Sequence, residues 1–146
     1  MSNKKKKVLF ICIHNSARSQ MAETFLNDLG GDSFEAESAG LEPGTLNPLV
    51  VQVMSEAGYD ISGNSTNSVF DFYQEKRSYD IVVAVCSKEA EERCPIFPGA
   101  GQRLHWPFED PSSMQGSQEE RLQATRRIRD QIKDKIEEFI AKEKFR

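Results

Sequence analysis

The stretch Val8-Leu9-Phe10-Ile11-Cys12-Ile13-His14-Asn15-Ser16-Ala17-Arg18 decides the fold. The apolar run Val8 to Ile11 gives way to a helical pattern carrying Met21, Phe25, Leu26 and Leu29, so the segment reads strand, tight loop, helix. A thiol opens the loop and a guanidinium closes it. Between them, the short side chains of Asn15, Ser16 and Ala17 let successive backbone N–H groups turn inward. The result is a concave nest at a helix N-terminus, where the dipole favours an anion. Arginine on a first helical turn opposes that dipole unless an anion is present, so Arg18 is expected to clamp two oxygens of the anion. Cys12 reads either as a small buried hydrophobe at a strand end or as a nucleophile. The helix N-terminus, Arg18, and a Ser19 hydroxyl able to donate to a thiolate argue for the nucleophile. His14 either contacts the substrate or lines the outer wall of the loop. The expected oxyanion-binding set is His14, Asn15, Ser16, Ala17, Arg18 and Ser19.

Outward from this segment, strands and helices alternate. A Gly30-Gly31 stop leads to a weaker strand from Phe34 to Ala39, whose Glu35 and Glu37 alternate outward as on an edge strand. Asn47 is an N-cap with Pro48 in the first helical position, and Leu49, Val50, Val53, Met54 and Ala57 repeat at helical spacing until Gly58. The polar stretch Ser62 to Ser68 reads as a loop, followed by a short helical turn from Val69 to Glu75. The β-branched run Ile81 to Val85 reads as a strand covered on both faces. A short helix is expected after Ser87, ending before Pro95, with a last strand near Arg103 to His105. Ser117-x-x-Glu120 is a capping box, and Leu122, Ile128, Ile132, Ile136, Phe139 and Ile140 mark one face of a long closing helix.

This alternation predicts a three-layer α/β sandwich with a four-stranded parallel sheet in the flavodoxin-like order 2-1-3-4, as one domain over residues 1–146. The first and third strands then lie side by side at the switch point, and ligands of such sheets bind in that crevice. Cys12 ends the first strand and Cys86 the third, so the thiols emerge from strands about 4.8 Å apart. A disulfide needs Cα atoms about 4.4 to 6.8 Å apart, which makes bridging the two feasible with modest loop movement.

Composition narrows the function classes. The 146 residues, 38% apolar and 29% charged, make a chain long enough for a core without disulfide or metal. No stretch has the length of a transmembrane span or the pattern of a signal peptide, so a cytoplasmic address and no membrane partner are expected. The net charge is −4 despite the run Lys4 to Lys7, which argues against a nucleic-acid partner. The lysines read as a solvated terminus leading into a strand. Three cysteines in a reducing compartment point to catalysis or redox work rather than to a disulfide frame. No metal or cofactor is expected, and the protein is expected to be a monomer.

An oxyanion site of this kind needs an acid to protonate a departing oxygen, which thiolate attack alone cannot expel. Asp110, before Pro111 in Trp106-Pro107-Phe108-Glu109-Asp110-Pro111, is a candidate, with Glu109 its neighbouring rival and a simple Asp-Pro turn the alternative. Pro111 fixes the Asp110 backbone, and Trp106, Phe108 and Pro111 offer an apolar wall.

Together, the Cys12 to Arg18 loop, the run SARSQMAE, Ser38-Ala39-Gly40, Asp110-Pro111, and Cys86 with Cys94-Pro95 resemble the thioredoxin-coupled arsenate reductases built on the low-molecular-weight tyrosine phosphatase fold. The resemblance spans nearly the whole chain. Plain phosphatases of that fold share the loop and the Asp-Pro acid, but more usually carry proline where Gln20 stands and lack the later cysteine pair. The resemblance favours Asp110 over Glu109 and implies a relay. Cys12 attacks arsenate, Cys86 attacks the Cys12 sulfur, and Cys94 then takes over as partner of Cys86, leaving a disulfide for an external dithiol protein. A regular helix over 86–94 would hold those two thiols about 12 Å apart, so the segment must unwind, and Glu89, Glu91 and Glu92 favour this by mutual repulsion. The seven residues between Cys86 and Cys94 are one more than in familiar members, so a glutathione and glutaredoxin system stands beside thioredoxin as reductant. Two other readings are weighed against reduction: phosphate monoester hydrolysis by Cys12, Arg18 and Asp110, and a non-catalytic sensor binding arsenite or a soft metal through the three thiols.

Overall fold

The computed structural model describes residues 5–85 and 101–144. Cys86, Cys94 and the helix expected between Ser87 and Pro95 lie outside the described residues. The elements are β1 (Lys6–Cys12), α1 (Arg18–Leu29), β2 (Phe34–Gly40), α2 (Pro48–Glu56), α3 (Val69–Gln74), β3 (Ile81–Ala84), β4 (Gln102–His105), a 3-10 turn (Pro111–Ser113) and α4 (Gln118–Lys144). The four strands form one sheet in the order β2-β1-β3-β4, with every pairing parallel, as the alternation predicted. Ile11 stands opposite Ala39 on one side and Ala84 on the other, so β1 is the central rail of the site.

The pleat of β1 divides the core. Val8, Phe10 and Cys12 face a large cluster with Met21, Phe25 and Leu26 of α1, Val50, Val53 and Met54 of α2, and Ile128, Ile132 and Ile136 of α4. Leu9 and Ile11 face the opposite cluster with Val69 and Phe72 of α3, Tyr79 and Val82. Leu29, counted with the α1 stripe from its spacing, is 39% exposed. It occupies the last residue of the helix, where the chain is already turning away at Gly30.

Local chemistry explains the boundaries. Asn47 Oδ1 accepts the Leu49 N–H at 2.9 Å, and Pro48 occupies the first helical position of α2. Ser117 and Glu120 form the reciprocal capping box of α4: the Glu120 N–H donates to Ser117 Oγ and the Ser117 N–H to Glu120 Oε1, both at 3.1 Å. The outer edge of β2 is covered by side chains and a loop. Asn27 takes both polar groups of the Ala36 backbone, Asn67 Nδ2 donates to the Ser38 carbonyl, and the Gly40 N–H donates to the Asn67 carbonyl. An open strand edge is a template for pairing with another chain, and these contacts block it. They also pull the 64–67 segment against the end of β1, where the site forms.

Candidate active site

Five consecutive carbonyls of the Cys12 to Arg18 loop are engaged on its outer side. Leu41 N–H donates to Cys12 O, Glu42 N–H to Ile13 O, Gly44 N–H to His14 O, and Asn47 N–H to Ser16 O. Gln20 Nε2 donates to Asn15 O at 3.1 Å. With the carbonyls turned out, the peptide planes direct their N–H groups inward, the arrangement an anion nest requires. The loop achieves this by a left-handed turn at Asn15, whose φ is 55°. Asparagine tolerates that region better than other residues bearing a Cβ. Gly40 lies directly beneath: a Cβ there would come within 2.8 Å of Asn15 N and of Ile13 O. The Ser38-Ala39-Gly40 segment therefore ends in glycine because the loop backbone passes too close for any side chain.

The Asn15 side chain is completely buried. Its Oδ1 accepts the Asn67 N–H at 2.8 Å, a partner that can only donate, and this fixes which way the amide faces. Nδ2 consequently donates to Ser19 Oγ at 2.7 Å. Ser19 Oγ, which keeps a proton to donate and a second lone pair to accept, lies 3.1 Å from Cys12 Sγ. The Asn15 N–H donates to the same sulfur at 3.0 Å. The structure thus brings Asn15 and Ser19, expected to bind the oxyanion, onto the sulfur.

Arg18 is the first residue of α1 and is only 6% exposed. Its Nη1 donates to the Phe108 carbonyl at 3.0 Å, and its Nη2 lies 3.6 Å from Asp110 Oδ2. The guanidinium so ties the loop to the segment bearing the candidate acid. Asp110 is half-buried against it, while Glu109 is exposed. Phe108 is partly buried and packs against the same core cluster that holds the buried Trp106. The Trp106 ring packs on Phe10 and Phe139, at centroid distances of 5.9 and 5.5 Å, because its backbone N–H donates to Ala84 O and β4 carries it over the core. His14 is exposed at the rim, with Nδ1 3.0 Å from the Glu42 carbonyl. This contact places its ring against the neighbouring loop.

Gln20, Asn64, Ser65 and Asn67 buttress the loop from outside, and none of them stands out as a site residue in the sequence. The run Ser62 to Ser68 looks like an ordinary polar loop, and only the density of amide side chains hints at more. Among the described residues there is no group of three or more His, Cys, Asp or Glu side chains placed to hold a metal ion. No described helix is long and apolar enough to cross a membrane.

Comparison with known proteins supplies the family. The model of the low molecular weight phosphotyrosine protein phosphatase family matches residues 7–144. An arsenate reductase of Bacillus subtilis (strain 168) is 40% identical over 134 residues, 92% of this chain and 94% of the relative. A solved arsenate reductase in the phosphate binding state superposes with a TM-score of 0.75 at 33% identity, covering 94% of this chain and 98% of the other. A thioredoxin-dependent arsenate reductase of Corynebacterium glutamicum aligns with a TM-score of 0.67 at 29% identity, over 95% of this chain and 62% of its own. The chain therefore belongs to the low molecular weight phosphotyrosine protein phosphatase family, and within it is similar to the arsenate reductases.

Proposed function

We propose that this protein reduces arsenate to arsenite by a three-cysteine relay. The observation that carries the reading is the Cys12 sulfur, hydrogen-bonded to the Asn15 N–H and the Ser19 hydroxyl at the floor of an amide-lined loop whose mouth bears Arg18 and Asp110. That arrangement suits a tetrahedral oxyanion attacked from below by sulfur. The loop N–H groups of His14 and of Ser16 to Ser19, together with the Arg18 guanidinium, neutralise the anion's charge. The Cys12 thiolate displaces one oxygen of arsenate, forming a sulfur–arsenic bond, and Asp110 protonates the departing hydroxide to water.

The fate of the adduct defines the enzyme. The Cys86 thiolate attacks Cys12 Sγ, a sulfur–sulfur bond forms, and the sulfur–arsenic bond breaks with its electron pair passing to arsenic. Arsenic(V) becomes arsenic(III) as two thiols become one disulfide. Cys94 then attacks Cys86, releases Cys12 as thiolate and leaves a Cys86–Cys94 disulfide for thioredoxin or a glutaredoxin system to reduce. Support comes from the sheet: the N–H of Val85, the residue before Cys86, donates at 3.0 Å to the carbonyl of Ile11, the residue before Cys12. Hydrolysis of phosphate monoesters through the same Cys12, Arg18 and Asp110 is the second reading, favoured by the family to which the chain belongs.

The decisive experiment incubates reduced protein with arsenate, quantifies arsenite and maps disulfides in wild type, Cys86→Ser and Cys94→Ser. Wild type should yield Cys86–Cys94, Cys94→Ser should stop at Cys12–Cys86, and Cys86→Ser should make no arsenite. Undiminished arsenite from Cys86→Ser refutes the relay, and aryl phosphate turnover without arsenite from wild type favours the phosphatase.

A further inference from the structure

Gln20 is 1% exposed and sits on the outer side of the loop, away from the anion. Its Nε2 donates to two carbonyls, Asn15 O at 3.1 Å and Ser65 O at 3.0 Å, and approaches Asn15 Oδ1 at 3.3 Å. Both carbonyls can only accept, so the orientation of the amide is fixed. Its Oε1 accepts Asn64 Nδ2 at 3.1 Å. Burying a long polar side chain is unfavourable in solvation and in rotamer entropy unless every group finds a partner, and in Gln20 every group does.

The partners are informative. Four loop carbonyls, those of Cys12, Ile13, His14 and Ser16, accept from backbone N–H groups of the 41–47 segment. The Asn15 carbonyl accepts from the Gln20 side chain. Asn15 is also the residue in the left-handed region, and its N–H addresses the Cys12 sulfur. The Asn15 N–H shares its peptide plane with the His14 carbonyl, which the Gly44 N–H holds, so the Gln20 contact fixes the other side of the left-handed residue and, in its own plane, the Ser16 N–H. Proline, the residue more usual at this position in plain phosphatases of the fold, offers no side-chain donor for the Asn15 carbonyl.

We propose that Gln20 is a positioning residue of the oxyanion loop: it holds the Asn15 carbonyl outward against the 64–67 segment, which turns the Ser16 N–H of the same peptide towards the anion and keeps Asn15 in the left-handed turn that leaves its own N–H on Cys12 Sγ. This rests on the oxyanion reading of the loop. The test titrates inorganic phosphate, as the probe anion, into reduced wild type, Gln20→Met, Gln20→Glu and Asn64→Ala, by calorimetry. The Asn15 amide resonance and the melting temperature are recorded in parallel. Methionine keeps the length and removes every hydrogen bond, whereas glutamate keeps the shape and the acceptor for Asn64 but loses both donors.

Both Gln20 variants should bind phosphate about tenfold more weakly, equivalent to about 1.4 kcal/mol. The Asn15 amide resonance should be displaced in both, at temperatures well below melting. Asn64→Ala, which leaves the donors intact, should stay within about twofold of wild type. If Gln20→Met does not fold, Gln20→Glu decides alone. A folded Gln20 variant with wild-type phosphate affinity and an unmoved Asn15 resonance overturns the proposal, as does an equal loss in Asn64→Ala. Failure of wild type to bind phosphate overturns the oxyanion reading itself, a result distinguishable from the other two.

Discussion

Replacing Asn15 by alanine tests how the loop is held. The side chain is completely buried and its φ is 55°, so two separate penalties follow from one substitution. Alanine in the left-handed region costs about 1–2 kcal/mol. Loss of the hydrogen bonds to Ser19 Oγ and from the Asn67 N–H costs about 1 kcal/mol each. The third contact, from Gln20 Nε2, is long at 3.3 Å, and its donor keeps two carbonyl partners, so it adds little. Asn15→Ala should therefore lose about 3–4 kcal/mol, a substantial part of a typical domain stability of about 5–15 kcal/mol. Asn15→Gly separates the two penalties, because glycine adopts the left-handed turn freely but orders more backbone, at about 0.5–1 kcal/mol. Glycine should come out about 1 kcal/mol more stable than alanine while suffering the same loss of bonds. Urea unfolding of the reduced protein, followed by far-UV circular dichroism, measures both differences. A loss below about 1.5 kcal/mol for alanine, or a glycine variant no more stable than alanine, would refute the idea that the Asn15 side chain and its left-handed turn hold the loop.

Asp110→Asn should lower the single-turnover rate of arsenite formation about 10²- to 10⁴-fold while changing the arsenate concentration dependence little, since the group acts on the leaving oxygen; an unchanged rate would remove it as the acid. Ser117→Ala should destabilise the protein by about 1 kcal/mol in urea through loss of the α4 cap, with activity per folded molecule unaltered. Burial pushes the Glu23 carboxyl above its ordinary 4.5, the Ser38 hydroxyl bonded at 2.5 Å only partly offsets this, and neighbouring Glu37 adds to the rise. The folded state therefore holds its proton more tightly than the unfolded chain, so this contribution is present below the ordinary carboxyl range and is lost as pH rises through the folded value. Glu23→Gln should consequently melt near wild type in mild acid and progressively above it towards neutral pH, and a melting difference independent of pH would contradict the sign.

What was legible in the sequence was whatever depends on neighbours in the chain. The runs Val8 to Ile11 and Ile81 to Val85, the Asn47-Pro48 start and the Ser117 capping box each declare themselves within a few residues, and each formed within a residue or two of its expected bounds. The parallel order followed because alternating strands and helices leave few right-handed solutions. Leu29 misled because helical spacing does not reveal where a helix begins to leave the core. Trp106, read from its place near Asp110 in sequence, has its ring on Phe10 and Phe139 in the core, contacts that no local pattern announces. The buttress of Gln20, Asn64, Ser65 and Asn67 joins residues 45 or so positions apart, such as Gln20 and Ser65. Its members carry no pattern until the β2 edge draws the 64–67 segment into place, and the left-handed turn at Asn15 is equally silent.

The same loop can serve hydrolysis and reduction, and geometry shows where the two must part. Water attacks an adduct at its central atom, from the mouth where Asp110 stands half-buried. A second thiol has to attack the sulfur itself, and that sulfur belongs to a residue 2% exposed, with the Asn15 N–H and the Ser19 hydroxyl already against it. Displacement at sulfur is in line, so the incoming thiol needs a path to the side of Sγ opposite the leaving arsenic. Among the described residues, the Asn15 N–H and the Ser19 hydroxyl stand against that sulfur, so on the proposed relay a thiol has to reach it past these contacts. On the proposed relay, reduction then asks for a displacement of these contacts that hydrolysis does not. The contacts that stiffen the loop, at Asn15, Gln20 and Gly40, then act in opposite directions on its two halves. They strengthen binding and the first attack, and they slow the second. On that relay the loop has to be held by contacts that can be released, and the side-chain hydrogen bonds of Gln20 meet that condition.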